Sequence, residues 1–395
     1  MKRSGLHALT GEPLEIWFAD AITSALPAES VSEEAPYLAP GFIDLQVNGY
    51  AGADYNDPEA ADEDIGRSIR ELFSTGVTRF LPTVITGASE RMRGALANLA
   101  RAKEQLPEGA AIAGFHVEGP HISPEDGPRG AHPRRWVRPP DLDEFQRMQE
   151  AARGLIRLVT LAPEWPEAPG FIQALVRQGV VASIGHTSAS AAQIADAVAA
   201  GATMCTHLGN GAHAVLPRHP NYIWEQLAED RLAAGFIVDG IHLSAAFLRV
   251  ALRAKGVERS VLVTDASAPA GCPPGRYRLG EQEVELTAEG RVVLAGQARL
   301  AGSALRMDRA LENLMRLAGL ALPEAVQMAT LNPARIGRFP ARQNGLHPGD
   351  RADIVEFRFD AQEQRITVLR TYLDGGLVYE ARSQESGDRS QETTR

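Results

Sequence analysis

The chain has 395 residues, of which 44% are hydrophobic and 23% charged, as in an ordinary globular protein. Its formal net charge of −10 argues against a nucleic-acid-binding protein, which would usually carry a basic face. Two cysteines, Cys205 and Cys272, do not indicate a disulfide framework. No apolar run approaches the roughly 18 residues of a membrane span, and no secretory signal is recognisable at the N-terminus. We therefore expect a soluble, cytoplasmic protein with neither membrane nor nucleic acid as a partner.

Lysine is rare in this chain, and its placement removes two kinds of chemistry. Lys2 is terminal, whereas Lys103 and Lys255 lie in charged, helix-like stretches, and the sequence contains no other lysine. None of the three ends a predicted strand, where a buried amine could form a Schiff base or, once carbamylated, bridge two metal ions. The mechanism is therefore expected to use no lysine.

Eight short apolar segments alternate with amphipathic ones beyond residue 40. Nearly continuous apolar runs are typical of strands buried on both faces of a parallel sheet. In the first helical segment, Ile65, Ile69, Leu72 and Phe73 recur on one face. Eight such alternations, with no glycine-rich phosphate fingerprint after the first strand, favour a (β/α)₈ barrel over an open doubly wound sheet. The predicted strands span residues 40–48, 78–86, 111–119, 155–163, 180–187, 203–210, 233–242 and 260–267.

The two ends of the chain predict a second, smaller unit. Residues 1–39 and 346–382 are strand-like, and we expect them to form a small β-domain of sandwich type beside a barrel of residues 40–345. Residues 277–302 alternate polar and apolar positions, which predicts a β-hairpin inserted after the eighth strand. Two helices should follow at about 304–319 and 323–335. The polar residues 383–395 are expected to be disordered.

The carboxyl ends of the strands gather at the face of a barrel where catalysis takes place. Glu118, His186 and His207 end the predicted third, fifth and sixth strands. Singly, each has a structural explanation, as a carboxylate paired with an arginine or as a histidine packed in the core. Together they match His₂Glu, a common catalytic zinc set that leaves one position for solvent. The clustering therefore favours a metal site.

Other polar residues lie at the same face. Asp265 ends the eighth strand in an apolar run, where it either caps the next segment or acts as general base to an activated water. His242 follows the seventh strand and orients a substrate, binds an anion or caps a helix. Arg218 could bind a phosphate, although an exposed charge explains it as well. The remaining candidates are Gln46, Asn48 and His132.

Eight segments follow one another along the chain: PGFIDLQVNGYAGADYND, HVEGPHIS, GAHP, GHTSAS, THLGNGA, DGIHL, LVTDASAPAG and AGSALRM. Together they resemble the N-acetylglucosamine-6-phosphate deacetylases of the amidohydrolase superfamily. The resemblance covers about residues 38 to 358, and the stretches MATLNPAR and GLHPGDRADIV fit it too. It implies a metal-dependent (β/α)₈ barrel with a small β-domain built by both termini. It also implies an amino-sugar phosphate as substrate and a homodimer.

The resemblance further implies roles for matching positions. Glu118, His186 and His207 would bind one divalent metal ion, and Asp265 would be the general acid/base. Zn²⁺ suits these ligands, although Fe²⁺, Mn²⁺ or Co²⁺ could occupy them. The implied substrate contacts are His132 near the acyl or sugar oxygens, and Asn210, the backbone of Gly211, His242 and Arg218 at the phosphate. In such enzymes the phosphate site can include residues of the neighbouring subunit.

Two departures from the family pattern matter. Many amidohydrolases carry His-x-His at the end of the first strand, where this chain has Gln46 and Asn48. The absence of these two histidines indicates one metal ion rather than two. Gln46 and Asn48 are then expected to lie around the metal ligands without binding the ion directly. In THLGNGA, Gly209 and Ala212 replace the usual aromatic residue and methionine around Asn210. The pocket wall should differ there.

The expected activity is hydrolysis of the acetyl amide of N-acetylglucosamine 6-phosphate to glucosamine 6-phosphate and acetate. One alternative is a related amidohydrolase that acts on another N-acyl amino sugar or N-acyl compound, a hypothesis that the altered loop motivates. The other alternative is a metal-binding barrel without turnover, because a fold alone does not establish function.

Overall fold

A computed structural model describes residues 1–32, 34–339 and 345–382 of the chain. Residues 383–395, predicted to be disordered, lie outside the described part. Strands β1–β20 and helices α1–α10 are numbered in chain order.

Eight parallel strands form the central barrel, which confirms the predicted fold class. An isolated parallel bridge between Val47 and Ala266 joins the first of these strands to the last. At the same seam, the Asp265 amide donates to the Gln46 carbonyl at 3.0 Å. The barrel strands are β5 (Phe42–Val47), β8 (Val77–Ile85), β9 (Phe115–Glu118), β10 (Ile156–Leu161), β11 (Val181–Ile184), β12 (Met204–Cys205), β13 (Ala233–Ile237) and β14 (Ser260–Val263).

Helices pack around the outside of the barrel through their apolar faces. In the first helix, Ile65, Ile69, Leu72 and Phe73 are all buried, as their spacing predicts. The predicted last helix is divided in two at Thr330, whose φ of −129° and ψ of −79° are not helical. The helices are α1 (Asp62–Phe73), α2 (Ser89–Gln105), α3 (Leu142–Ala151), α4 (Ala168–Arg177), α5 (Ala191–Ala200), α6 (Tyr222–Ala228), α7 (Ala245–Lys255), α8 (Met307–Ala318), α9 (Leu322–Ala329) and α10 (Leu331–Ile336).

Both termini contribute to a separate seven-stranded sheet, in the order β20-β19-β18-β4-β1-β2-β3. Arg79 of β8 ties this sheet to the barrel, because its guanidinium contacts the carboxylates of Asp353 at 2.8 Å and Asp374 at 2.7 Å. A mainly β unit built by both ends is therefore present, while the division at residues 39/40 and 345/346 stays a prediction. The strands are β1 (Lys2–His7), β2 (Pro13–Phe18), β3 (Ile22–Pro27), β4 (Tyr37–Pro40), β18 (Ile354–Asp360), β19 (Arg365–Leu373) and β20 (Gly376–Glu380).

The insertion after the eighth barrel strand is a three-stranded antiparallel sheet rather than the single predicted hairpin. It consists of β15 (Gly275–Leu279), β16 (Gln282–Leu286) and β17 (Val292–Leu294). The third strand forms because its apolar residues join a small core with Ile85, at the end of β8. The insertion therefore covers part of the carboxyl end of the barrel. A two-residue pairing between β6 (Gly49–Tyr50) and β7 (Ala53–Asp54) lies in the loop after β5.

Within the described ranges, no helix is long and apolar enough to cross a membrane. The cytoplasmic location stays a prediction.

Candidate active site

Three predicted ligands meet at the carboxyl end of the barrel. Glu118 is the last residue of β9, and His186 and His207 each lie two residues beyond β11 and β12. The Glu118 Oε1 atom lies 2.9 Å from His207 Nε2 and 3.2 Å from His186 Nε2, and the two nitrogens are 3.1 Å apart. Tetrahedral ligands about 2.0–2.1 Å from a zinc ion are themselves roughly 3.3 Å apart. The three buried side chains could therefore hold a divalent metal ion.

The outer ring nitrogens show how the two histidines are oriented for this task. The Nδ1 of His186 donates to the Pro128 carbonyl oxygen at 2.8 Å, which leaves the lone pair on Nε2 free. The Nδ1 of His207 is buried without a hydrogen-bond partner among the described residues. Both rings thus turn Nε2 toward the carboxylate, as metal ligation requires.

The electrostatics of the cluster favour an ionised Glu118. Burial opposes its charge, but the adjacent imidazoles of His186 and His207 outweigh burial and hold the pKa of Glu118 well below its usual value. An anionic oxygen beside two imidazoles is the charge state in which a carboxylate binds a cation.

Asp265 lies beside the cluster and is held by two side-chain amides, one near the end of the first barrel strand and one directly after it. Its Oδ1 accepts a hydrogen bond from Asn48 Nδ2 at 2.7 Å and from Gln46 Nε2 at 3.0 Å. Gln46 Nε2 also donates to Glu118 Oε1 at 3.0 Å and so links the two carboxylates. The positions that carry His-x-His in many amidohydrolases therefore orient the acidic side chains in this chain.

Burial, and after it the negative charge of Glu118, raise the pKa of Asp265 to about 6. The nearby His207 and His242 and the hydrogen bond from Asn48 act in the opposite direction. A carboxyl group with a pKa close to neutrality can both accept and return a proton.

A cavity of about 550 Å³ opens above these residues. Arg218 is not among the described residues that line it, and its side chain is exposed in the loop between β12 and α6. Gln46 does not line the cavity either, but it bonds Glu118 and Asp265, which do. The predicted site residues that do line the cavity are Asn48, Glu118, His132, His186, His207, Asn210, Gly211, His242 and Asp265.

Two further histidines face the cavity in fixed orientations. His132 Nδ1 lies 2.9 Å from Thr86 Oγ1, and the His132 ring centre is 4.4 Å from that of His186. Burial lowers the pKa of His132 to about 3, so the ring is neutral. His242 Nδ1 contacts Asp239 Oδ2 at 2.6 Å, which leaves its Nε2 for a ligand. Both rings can therefore take part in hydrogen bonds with substrate groups through Nε2.

Asn210 contributes an unused donor to the same cavity. Its Nδ2 is buried and has no hydrogen-bond partner among the described residues. Because a buried amide without a partner costs free energy, a ligand oxygen is a natural acceptor for it.

Sequence reasoning missed three ionisable residues among those described as lining the cavity. His213 is only three residues beyond Asn210, and its Nε2 lies 3.2 Å from Glu125 Oε2 in the loop after β9. Its position directly after the segment THLGNGA was an available signal. Arg291 and Arg299 belong to the inserted sheet, and nothing in the sequence pattern indicated that this sheet borders the site.

The fold and the site together define a class, that of the metal-dependent hydrolases built on a (β/α)₈ barrel. The family model described as "Amidohydrolase family" matches residues 37–378. Among curated proteins, the chain is 39% identical to N-acetylglucosamine-6-phosphate deacetylase of Bos taurus over 360 residues, which is 87% of this chain and 83% of the relative. It is 33% identical to N-acetylgalactosamine-6-phosphate deacetylase of Escherichia coli O157:H7 over 369 residues, which is 92% of this chain and 94% of the relative.

Among solved structures, the chain is similar to a variant of N-acetyl-D-glucosamine-6-phosphate deacetylase from Mycobacterium smegmatis in complex with N-acetyl-D-glucosamine-6-phosphate. The TM-score is 0.86 at 31% identity, and the match covers 96% of this chain and 99% of the other. The chain therefore belongs to the amidohydrolase family and, within it, to the N-acetylglucosamine-6-phosphate deacetylases. This result confirms the family resemblance predicted from the sequence motifs.

Proposed function

We propose that the chain hydrolyses the acetyl amide of N-acetylglucosamine 6-phosphate and releases glucosamine 6-phosphate and acetate. The observation that carries the proposal is the buried Asp265 beside the Glu118, His186 and His207 cluster at the floor of an open cavity. The Bos taurus relative carries this activity in its name, and the Mycobacterium smegmatis relative has been solved with this sugar phosphate bound.

The donor set suits one divalent cation, with Zn²⁺ as the first choice and Fe²⁺, Mn²⁺ or Co²⁺ as alternatives. When bound, such a cation supplies Lewis acidity, which activates water as a nucleophile and polarises the acetyl carbonyl. A single ion is supported by Gln46, because its Nε2 donates to Glu118 and Asp265 and offers no lone pair to a second ion.

Asp265 carries the proton transfers. Its carboxylate accepts a proton from the attacking water and later returns it to the departing amine nitrogen, so that one residue serves as base and then as acid. Its pKa of about 6, raised by burial, suits both steps near neutral pH. Asn48 and Gln46 hold the carboxylate in place throughout.

Neutral His132 offers a hydrogen bond to the acetyl or sugar oxygens, since its ring lies directly beside His186. Donors fixed in advance toward an oxygen that gains negative charge are the usual means of stabilising an acyl-transfer transition state. The sugar phosphate is held by Asn210 Nδ2, the Gly211 backbone and His242, which line the same cavity.

A homodimer is proposed as the working assembly. Arg218 is exposed and lies outside the cavity of its own chain. Val215, in the same loop, has 86% of its surface exposed, which is unusual for an apolar side chain. A second copy packed against this loop would cover Val215 and bring Arg218 to the partner's phosphate site. Sedimentation analysis should then give twice the chain mass, and Val215→Arg should yield a monomer with weaker phosphate binding.

Acetate release by the metal-analysed protein tests the activity. The substrates are N-acetylglucosamine 6-phosphate, N-acetylgalactosamine 6-phosphate and unphosphorylated N-acetylglucosamine. We expect turnover that favours the first, at about one metal ion per chain. If the protein prefers the galactosamine compound, or an N-acyl compound without phosphate, that compound becomes the assigned substrate in place of N-acetylglucosamine 6-phosphate. Bound metal with no acetate from any substrate would support the barrel without turnover.

Asp265→Asn tests the assigned base. We expect unchanged metal content, because Asp265 is not one of the three clustered ligands, and a loss of kcat on the order of 10² to 10⁴. Asp196→Asn, on the exposed side of α5, is the matched control and should keep full activity. Near-native turnover by Asp265→Asn would show that another group transfers the proton.

A further inference from the structure

The inserted sheet β15–β17 brings two arginines to the wall of the active-site cavity. Arg291 and Arg299 line it, and among the described residues that do so they are the only lysines or arginines. The cavity floor already holds the carboxylates of Glu118 and Asp265. A phosphate that enters this space therefore meets negative charge at the floor, and the permanent positive charge that its own chain supplies lies on the inserted sheet.

The inserted sheet is anchored to the barrel rather than suspended above it. The Gly280 amide donates to Asp54 Oδ2 at 2.7 Å, and Gln282 Nε2 donates to the Ala131 carbonyl at 2.6 Å. Its apolar side packs against Ile85. The backbone that carries the two arginines therefore keeps a defined position relative to the site, which lowers the cost of ordering it when a ligand binds.

His186 is a common neighbour that relates the position of Arg299 to that of Gly211. Arg299 Nη1 donates to the Gly130 carbonyl oxygen at 3.1 Å. A Cβ atom added to Gly130 would lie 3.2 Å from His186 Cε1, and one added to Gly211 would lie 2.7 Å from His186 Nδ1. Gly130 and Gly211 therefore contact the same edge of one imidazole ring. Arg299 thus bonds a residue, Gly130, that borders the same ring as Gly211, whose backbone is proposed to meet the phosphate.

The remaining donors of Arg299 are available. Its single hydrogen bond uses Nη1, and no carboxylate pairs with it among the described residues. Arg276 of the same sheet differs, since it lies 3.5 Å from Glu283 and does not line the cavity. A guanidinium offers five N–H groups in a planar fork that matches phosphate oxygens.

We propose that Arg299 binds the phosphate of the substrate from within its own chain, with Arg291 adding positive charge at the cavity mouth. This inference rests on the proposed function in taking an amino-sugar phosphate as the ligand. It assigns phosphate selectivity to the inserted sheet, in addition to the loop that carries Asn210, Gly211 and Arg218. The two cations are compatible, because Arg218 would reach the site only from a second copy.

The test compares Arg299→Ala, Arg299→Lys and the control Arg276→Ala. Calorimetry on the metal-loaded proteins measures binding of glucosamine 6-phosphate and of glucosamine, and acetate release gives KM and kcat. We expect Arg299→Ala to weaken glucosamine 6-phosphate binding on the order of tenfold or more, with the kinetic loss mainly in KM. Glucosamine binding should not change. Arg299→Lys should recover part of the loss, and Arg276→Ala should match the wild type.

Equal weakening of both ligands would overturn the inference, because a contact to the sugar ring or a distorted wall would then explain it. Unchanged phosphate binding in Arg299→Ala would overturn it as well. The same measurements distinguish a failure of this inference from a failure of the proposed function. If the wild type binds glucosamine 6-phosphate through Arg299 but releases no acetate, the phosphate contact stands and the reaction is wrong. If acetate is released but the Arg299 variants do not discriminate, the reaction stands and the phosphate contact is wrong.

Discussion

Asn48 offers the sharpest test of how the active-site carboxylate is controlled. Its Nδ2 donates to Asp265 Oδ1 at 2.7 Å, and both side chains are buried. The pKa of Asp265 is raised to about 6, chiefly by burial, and the hydrogen bond from Asn48 keeps it from rising further because it stabilises the ionised form. Asn48→Ala removes that donor, so the pKa of Asp265 should rise.

The size of the shift follows from the strength of the bond. A hydrogen bond to a charged group contributes about 1.5–3 kcal/mol, and one pKa unit corresponds to about 1.36 kcal/mol. Asn48→Ala should therefore raise the pKa of Asp265 by about one unit or more. Because Asp265 must be ionised to accept a proton, the acid limb of kcat/KM should move to higher pH by the same amount. Near pH 6 the variant should lose roughly tenfold, and near pH 9 the loss should be small.

The assay is acetate release from N-acetylglucosamine 6-phosphate between about pH 5 and about pH 9, with metal content measured for each variant. Asn98→Ala is the matched control, because Asn98 is a buried asparagine that bonds the Ala60 carbonyl in helix packing away from the cavity. An acid limb at the wild-type pH would refute the reasoning. A uniform loss at every pH would also refute it, since Asn48 would then only orient the carboxylate.

Two other buried charges and the metal site lead to stability predictions. Burial raises the pKa of Asp44 to about 7, so the folded state retains a proton that the unfolded chain releases near pH 4, and stability is lost as pH rises between these values. Asp44→Asn should therefore gain in Tm relative to the wild type more at pH 8 than at pH 5. An equal difference in Tm between the variant and the wild type at both pH values would contradict this prediction. Arg79→Ala removes the cation that faces Asp353 and Asp374, and denaturant unfolding should show a loss of about 3–5 kcal/mol. A loss of unfolding free energy below about 1 kcal/mol would contradict it, because the ion pairs of Arg79 would then behave like solvent-screened surface pairs. Chelation should lower Tm, because a metal ion stabilises the state that binds it.

The barrel was predictable because strands buried on both faces leave a strong signal in sequence. Their apolar runs and the helices between them are local properties of the chain. The strand ends were less predictable. Residues 203–210 were predicted as one strand, whereas β12 contains only Met204 and Cys205. Beyond Cys205 the chain leaves the sheet, because His207 has to turn toward Glu118.

The ligand cluster was predictable for a related reason. Once the fold is a barrel, the carboxyl ends of its strands must converge, and polar residues at those ends become neighbours. No comparable rule of barrel geometry predicts the position of Arg299. It is an exposed arginine in a short loop, and only the packing of the inserted sheet against Ile85 and Ala131 brings it to the cavity. Contacts of this kind depend on tertiary structure that no local pattern encodes.

The backbone at the strand ends explains why these positions carry function. His186, His207 and Asp265 have φ values of +51°, +28° and +51°, in the left-handed region that glycine occupies at lower cost. Each such residue costs about 1–3 kcal/mol, so the surrounding structure has to hold it there. Backbone hydrogen bonds do so. The His186 carbonyl accepts from Ser123 at 2.8 Å, and the Asp265 amide and carbonyl bond Gln46 and Ser303 at 3.0 Å and 2.9 Å. The scaffold therefore turns two imidazoles and a carboxylate toward one point, and the strained conformation is maintained where the chemistry needs a side chain that glycine lacks.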